Sequence, residues 1–161
     1  MCSSDLHGGT EIFQTSPARV EILQGIEHVA CLRLTAHGPL RWFAKCCNTP
    51  IGNTPPTSQV PFIGLIRSCL DPEGRSLDEV LGPVRLRVMI QYAKGEIPRA
   101  AAYAGFPLLY VMRIACRVLL WRIRGEHKTN AFFDARTGQA IVATVPTREL
   151  ATSAGTTHVD V

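Results

Sequence analysis

The chain lacks the short motifs that announce the commonest enzyme chemistries. It has no G-x-S-x-G, no phosphate-cradling glycine loop and no H-E-x-x-H, and Gly8-Gly9 is only a turn. Serines are few, and none stands beside a residue that would serve as its base. Charged residues make up 19% of the chain and the net charge is +4, mostly from arginines between Arg85 and Arg124. That is too little charge, too interleaved with aliphatics, for a nucleic-acid footprint. The longest apolar run, Ala100–Met112, falls short of the ~20 residues that span a bilayer. No internal repeat or low-complexity tract occurs, and the N-terminus lacks the basic-then-apolar pattern of a secretory signal.

What is present is enough for one globular domain. At 161 residues and 46% apolar content the chain can bury a core, and the composition argues against disorder. The six cysteines are Cys2, Cys31, Cys46, Cys47, Cys69 and Cys116. Five lie in apolar or strand-like surroundings without disulfide spacing, so most read as small buried hydrophobes in a reducing, cytoplasmic setting. Residues 1–6, MCSSDL, contain the translation of a common sequencing adapter, TGCTCTTCCGATCT, after a GTG start. They are read as a non-native scar, with the natural chain expected to continue upstream.

The expected class is α+β: mainly β, with one long C-terminal helix. Apolar alternation predicts strands over Thr10–Thr15, Ala18–Leu23, Ile26–Thr35 and Leu40–Ala44, joined by tight turns. Pro50, Gly52, Asn53, Pro55 and Pro56 argue against a regular element after the double cysteine. Val60–Leu70 and Val84–Tyr92 read as further strands. Between them, Ser76 followed by Glu79 forms a capping box, which predicts one helical turn over Ser76–Leu81.

Arg99–Arg124 reads as helix, with Gly105 and Pro107 disturbing its first turns and Gly125 ending it. On a wheel of 3.6 residues per turn, Arg113, Arg117 and Arg124 fall within about 40° of one another. Leu108, Met112, Ala115, Leu119 and Ile123 fill the other side, with Arg122 among them. The leading expectation is that this wide apolar face packs on the sheet; the alternative is a non-enzymatic module that docks on a membrane surface or a partner. Phe132–Gly138 and Ala140–Val145 follow as a hairpin. The domain reading is thus 7–97 for the sheet domain, 98–146 for the helix with the hairpin packed on it, and 147–161 for a flexible tail.

Cys46-Cys47 is the pair with most chemical potential. It ends the aromatic-basic segment Arg41–Ala44 and enters a turn rich in Asn, Pro and Gly. Structural zinc takes four tetrahedral ligands and favours thiolates, normally as C-x-x-C. Adjacent cysteines are expected to diverge, so at most one of the two is a good ligand, and an inert pair is the competing reading. His28 and His37 have no partner at ligand spacing and read as structural or surface residues.

Residues Gly8–Leu70 resemble the glutathione-dependent formaldehyde-activating enzyme and centromere protein V family, most closely an uncharacterised bacterial branch of it. Members of that family end a strand with F-C-x-x-C-G-[ST]. Here the run is Phe43-Ala44-Lys45-Cys46-Cys47-Asn48-Thr49. Cys47 matches the second cysteine, Ala44 stands in place of the first, and Asn48 replaces the glycine. The resemblance implies an incomplete β-tent of small antiparallel sheets and a zinc-dependent, carbon–sulfur lyase-like ancestor acting on glutathione or other small-thiol adducts. The family's early C-x-C pair and C-x-C-x-x-C cluster have no counterpart here, and Cys2 does not replace them. The chain is therefore expected to be an N-terminally truncated, divergent and inactive member, with Cys47 and Cys46 as its only candidate metal ligands and no catalytic residue.

Overall fold

The computed structural model describes residues 9–35, 37–94, 102–142 and 144–146. The suspected scar 1–6, Cys2, the start of the expected helix at 99–101 and the tail 147–161 all lie outside the described residues. The fold is α+β, mainly β with a C-terminal helix. Its strands are β1 (Ile12–Thr15), β2 (Val29–Arg33), β3 (Leu40–Ala44), β4 (Thr49–Thr54), β5 (Ile63–Ile66), β6 (Arg87–Val88), β7 (Ala102–Tyr103) and β8 (Thr144–Pro146). The helices are α1 (Leu77–Leu81) and α2 (Leu108–Ile123), joined to the strands by short 3-10 turns.

Six strands form one sheet in the order β1-β5-β4-β3-β2-β8; β6 and β7 form a separate parallel pair. From β2 to β5 the sheet is an antiparallel meander, each strand pairing with the next along the chain. β1 returns beside β5, and β8 adds in parallel to β2. Every residue of β5 is buried, as an unbroken Ile-Gly-Leu-Ile run covered on both faces requires. The core gathers Val29, Cys31, Leu40, Trp42, Ile63 and Leu65 from the sheet with Phe132 and Phe133 from beyond α2. Trp42 is its centre. Its ring lies 4.9 Å from that of Phe132 and 5.9 Å from that of Phe133, and its indole N–H donates to the buried Thr54 hydroxyl at 2.9 Å.

Several expectations need correction. The segment after the double cysteine is a regular strand, β4, inside the sheet. Pro50 is tolerated because β5 pairs only with Gly52 and Asn53, while on the β3 side the register shifts between Trp42 and Phe43. Gly52 is required there, since a Cβ would meet the Gly64 carbonyl oxygen at 2.7 Å. The expected strand over Ala18–Leu23 is a 3-10 turn, Pro17–Arg19, and then irregular chain. Ser16 caps the turn, and Val20 and Ile22 still pack against the core. The expected strand Val84–Tyr92 shrinks to β6, and the expected hairpin to a single bridge, Phe133 to Ala140. Two predicted features stand: Ser76 and Glu79 form the capping box of α1, and Gly125 closes α2 at φ 78°.

The helix departs most from expectation. α2 begins only after Pro107, which lacks an amide donor and sits at the N-cap in extended geometry, while Ala102–Tyr103 ahead of it is strand. The face expected to pack on the sheet is turned outward instead.

Candidate functional site

Two surfaces carry chemical potential: the turn between β3 and β4, and the outer face of α2. Lys45–Asn48 forms the turn. Lys45 N–H donates to the His28 carbonyl at 2.8 Å, Cys47 N–H to the Ala44 carbonyl at 3.3 Å, and Asn48 takes the left-handed conformation at φ 54°. Cys46 and Cys47 are both exposed at its tip. Their sulfurs lie 3.7 Å apart, with the Cys46 thiol donating to the Cys47 sulfur. The divergence expected of adjacent cysteines belongs to an extended strand, where neighbouring side chains alternate faces. On this turn the two converge.

Thr49 is the residue that sequence reasoning missed. Its hydroxyl lies 3.0 Å from the Cys47 sulfur. That hydrogen bond, then the Thr49 amide, then the Cys46 thiol hold Cys47 below the ordinary thiol value of 9.0. Cys46 is pushed up, first by its hydrogen bond to Cys47. Cys47 therefore gives up its proton more readily than Cys46, whose thiol donates to it. The Cys-x-Thr spacing was visible in the sequence, but nothing there aimed the hydroxyl.

The remaining sequence candidates are dispersed. Cys69 donates to the Pro50 carbonyl at 3.0 Å, Cys31 is buried in the core, and Cys116 is exposed on α2. His28 is exposed, 3.4 Å from the Glu27 carboxylate, and His37 is exposed too. Two thiolates on a tetrahedral zinc with Zn–S near 2.3 Å stand about 3.8 Å apart. The Cys46–Cys47 separation fits one edge of such a tetrahedron. Among the described residues there is no group of three or more His, Cys, Asp or Glu that could hold a metal ion. These residues therefore fit half a zinc shell and not a closed site.

α2 is fastened along one narrow stripe. Tyr110, Ile114, Val118 and Trp121, spaced four, four and three apart, are its covered positions, and of these Trp121 is buried and the rest half-buried. The Tyr110 hydroxyl donates to Gln14 at 2.6 Å, tying the helix to β1. At the other end the Arg19 guanidinium stacks 5.7 Å from the Trp121 ring and bridges to Glu126 at 3.0 Å, while Arg122 donates to the Gln59 carbonyl.

The opposite side is open. Leu108, Leu109, Met112, Leu119, Leu120 and Ile123 are all exposed, Leu108, Leu109 and Ile123 by 73% or more. At about 100° per residue they occupy an arc of about 120°, centred roughly opposite the fastened stripe. Arg113, Arg117 and Arg124 border one edge of this arc, and Arg122 borders the other. No acidic residue occurs between Glu96 and Glu126. Among the described residues no helix is long and apolar enough to cross a membrane.

Comparison with curated proteins and with solved structures yielded no match to either. A protein-family model does match, over residues 2–143, which is most of the chain. The protein thus belongs to DUF6151, a family of unknown function.

Proposed function

We propose that this protein is a peripheral binding module that docks on an anionic membrane surface through the outer face of α2. The observation that carries the reading is the six-residue apolar arc, exposed on a helix fastened by its other side. A helix lying in the membrane interface buries such an arc among the acyl chains and sets its flanking cations among the headgroups. Arginine suits those flanks, because its long stem is apolar while its guanidinium stays in the polar layer. The absence of carboxylates from Ile97 to Gly125 removes the repulsion an anionic surface would otherwise meet. Each cation held near such a surface contributes about 1 kcal/mol, so Arg113, Arg117 and Arg124 together supply about 3 kcal/mol, roughly a hundredfold in partitioning.

Vesicle co-sedimentation tests this. The full chain should pellet with phosphatidylserine-containing vesicles and much less with phosphatidylcholine alone. Arg113→Glu, Arg117→Glu and Arg124→Glu combined should lower the partition coefficient by about two powers of ten or more. Unchanged sedimentation after charge reversal, or no sedimentation of the unaltered protein, ends the reading.

A second reading is favoured by the 3.7 Å separation of the Cys46 and Cys47 sulfurs. Here the chain is a divergent, inactive member of the zinc-dependent lineage that its Phe43–Thr49 run resembles, retaining one edge of a thiolate site. Among the described residues no group of three or more His, Cys, Asp or Glu could hold a metal ion, so this reading gives the pair only part of a zinc shell. Elemental analysis of the purified chain is the check. Tightly bound zinc at one equivalent contradicts an incomplete site.

A further inference from the structure

The Cys46–Cys47 turn fits a different class of ligand better than it fits zinc. A four-coordinate cation gains only two donors here and stays half bound. A trivalent arsenical needs only two: it is thiophilic, three-coordinate and pyramidal, and it keeps its third substituent. The turn supplies two sulfurs 3.7 Å apart at an exposed tip, with the Cys47 amide tied to the Ala44 carbonyl and the Lys45 amide before the pair tied to that of His28. Their exposure leaves room outside the pair for the substituent that arsenic retains.

We propose that Cys46 and Cys47 form a two-sulfur chelating site for trivalent organoarsenicals. The reaction balances without an oxidant or reductant. An arsine oxide, R–As=O, loses its oxygen, two As–S bonds form, and the two thiol protons leave with that oxygen as one water. Arsenic remains trivalent throughout. Once the first sulfur is bound, the second attacks within the same turn, at an effective concentration that a free monothiol does not match. The adduct should therefore resist monothiols and yield only to competing dithiols. The site is independent of α2, so its failure leaves the membrane reading untouched, and the converse holds.

Phenylarsine oxide is the probe. The reduced full chain, treated in excess 2-mercaptoethanol and read by intact mass, should carry one phenylarsenic group with loss of one water, released by dithiothreitol. Cys46→Ser and Cys47→Ser should each lose the monothiol-resistant adduct. A variant with Cys2, Cys69 and Cys116 all changed to Ser should keep it. Because Cys46 and Cys47 are exposed, their serine variants should unfold at the same urea concentration as the parent, which separates loss of binding from loss of fold. No monothiol-resistant adduct on the parent, its persistence in Cys46→Ser, or its loss in the triple variant each overturns the proposal.

Discussion

Replacing Phe132 by Ala probes how the chain beyond α2 is held, and a matched replacement on α2 probes the exposed arc. Phe132 is fully buried against Trp42, with ring centroids 4.9 Å apart, and its carbonyl accepts from Ile141 N–H at 3.0 Å. It reaches the sheet's core from the far side of α2, so the cavity left by alanine opens at the centre of the core. Such truncations cost about 3–5 kcal/mol, a large share of the ~5–15 kcal/mol that holds a domain folded. With a urea m-value of about 2 kcal/mol/M, the midpoint should fall by about 1.5–2.5 M. Leu108→Ala, Leu119→Ala and Ile123→Ala should behave differently, since 75%, 58% and 73% of these residues is already exposed. Each should shift stability by no more than about 0.5 kcal/mol. The assay is equilibrium urea unfolding followed by tryptophan fluorescence, which reports on Trp42 and Trp121 together. If the three helix variants lost about 2–5 kcal/mol apiece, as buried aliphatics do, α2 would be packing through this face. The orientation of the helix and the membrane reading would then both fall.

The glycines at the centre of the sheet should separate by what faces them. Gly52→Ala should lower stability by about 1–3 kcal/mol in thermal unfolding, because its Cβ would meet the Gly64 backbone oxygen at 2.7 Å and backbone cannot step aside. Gly64→Ala should cost less, since its Cβ would meet only the Ile12 side chain, at 2.8 Å, on the edge strand β1; the reverse order would contradict the packing. Glu126 is held below its usual 4.5, first by the Arg19 hydrogen bond, and Asp134 below its usual 3.8, first by the Thr137 amide. Depressed carboxylates contribute stability that is complete above their unfolded values and is lost as pH falls through the folded ones, so acid unfolding should be shallower below pH 4.5 in Glu126→Gln than in the parent. An identical acid limb would remove Glu126 from the account. Thr49→Val should move the pH profile of Cys47 alkylation by iodoacetamide upward, because the hydroxyl that lowers this thiol is gone. A profile that stays put would assign the shift to other groups.

Local rules settled much of this fold from residue order alone. Strands β2 and β3 of the meander follow from period-two alternation, and β5 from an unbroken apolar run; the capping box of α1 and the glycine stop of α2 depend on a few neighbouring residues. Where Pro50 and Gly52 argued against a strand, the argument failed because proline and glycine report the freedom of their own backbone and not of the neighbouring strand. The space beside Gly52 is set by Gly64, twelve residues on, and only the paired sheet brings the two together. The thiols teach the same lesson. Residue order placed Cys46 and Cys47 side by side; the turn conformation, with Asn48 at positive φ, decided that their sulfurs converge and that Thr49 reaches one of them.

Amphipathic pattern showed that α2 has a wide apolar face and a narrow basic stripe, but periodicity describes a helix without saying which side meets the protein. Three distant contacts decided that: Tyr110 with Gln14, Trp121 with Arg19, and Arg122 with Gln59. Together they fasten the side with fewer aliphatics and leave the richer one facing out. The sequence by itself determined β1, β2, β3 and β5, the caps and the cysteine pair, because these rest on backbone and neighbour chemistry. Tertiary structure alone decided which helix face is spent on the fold, because that depends on residues more than sixty positions away.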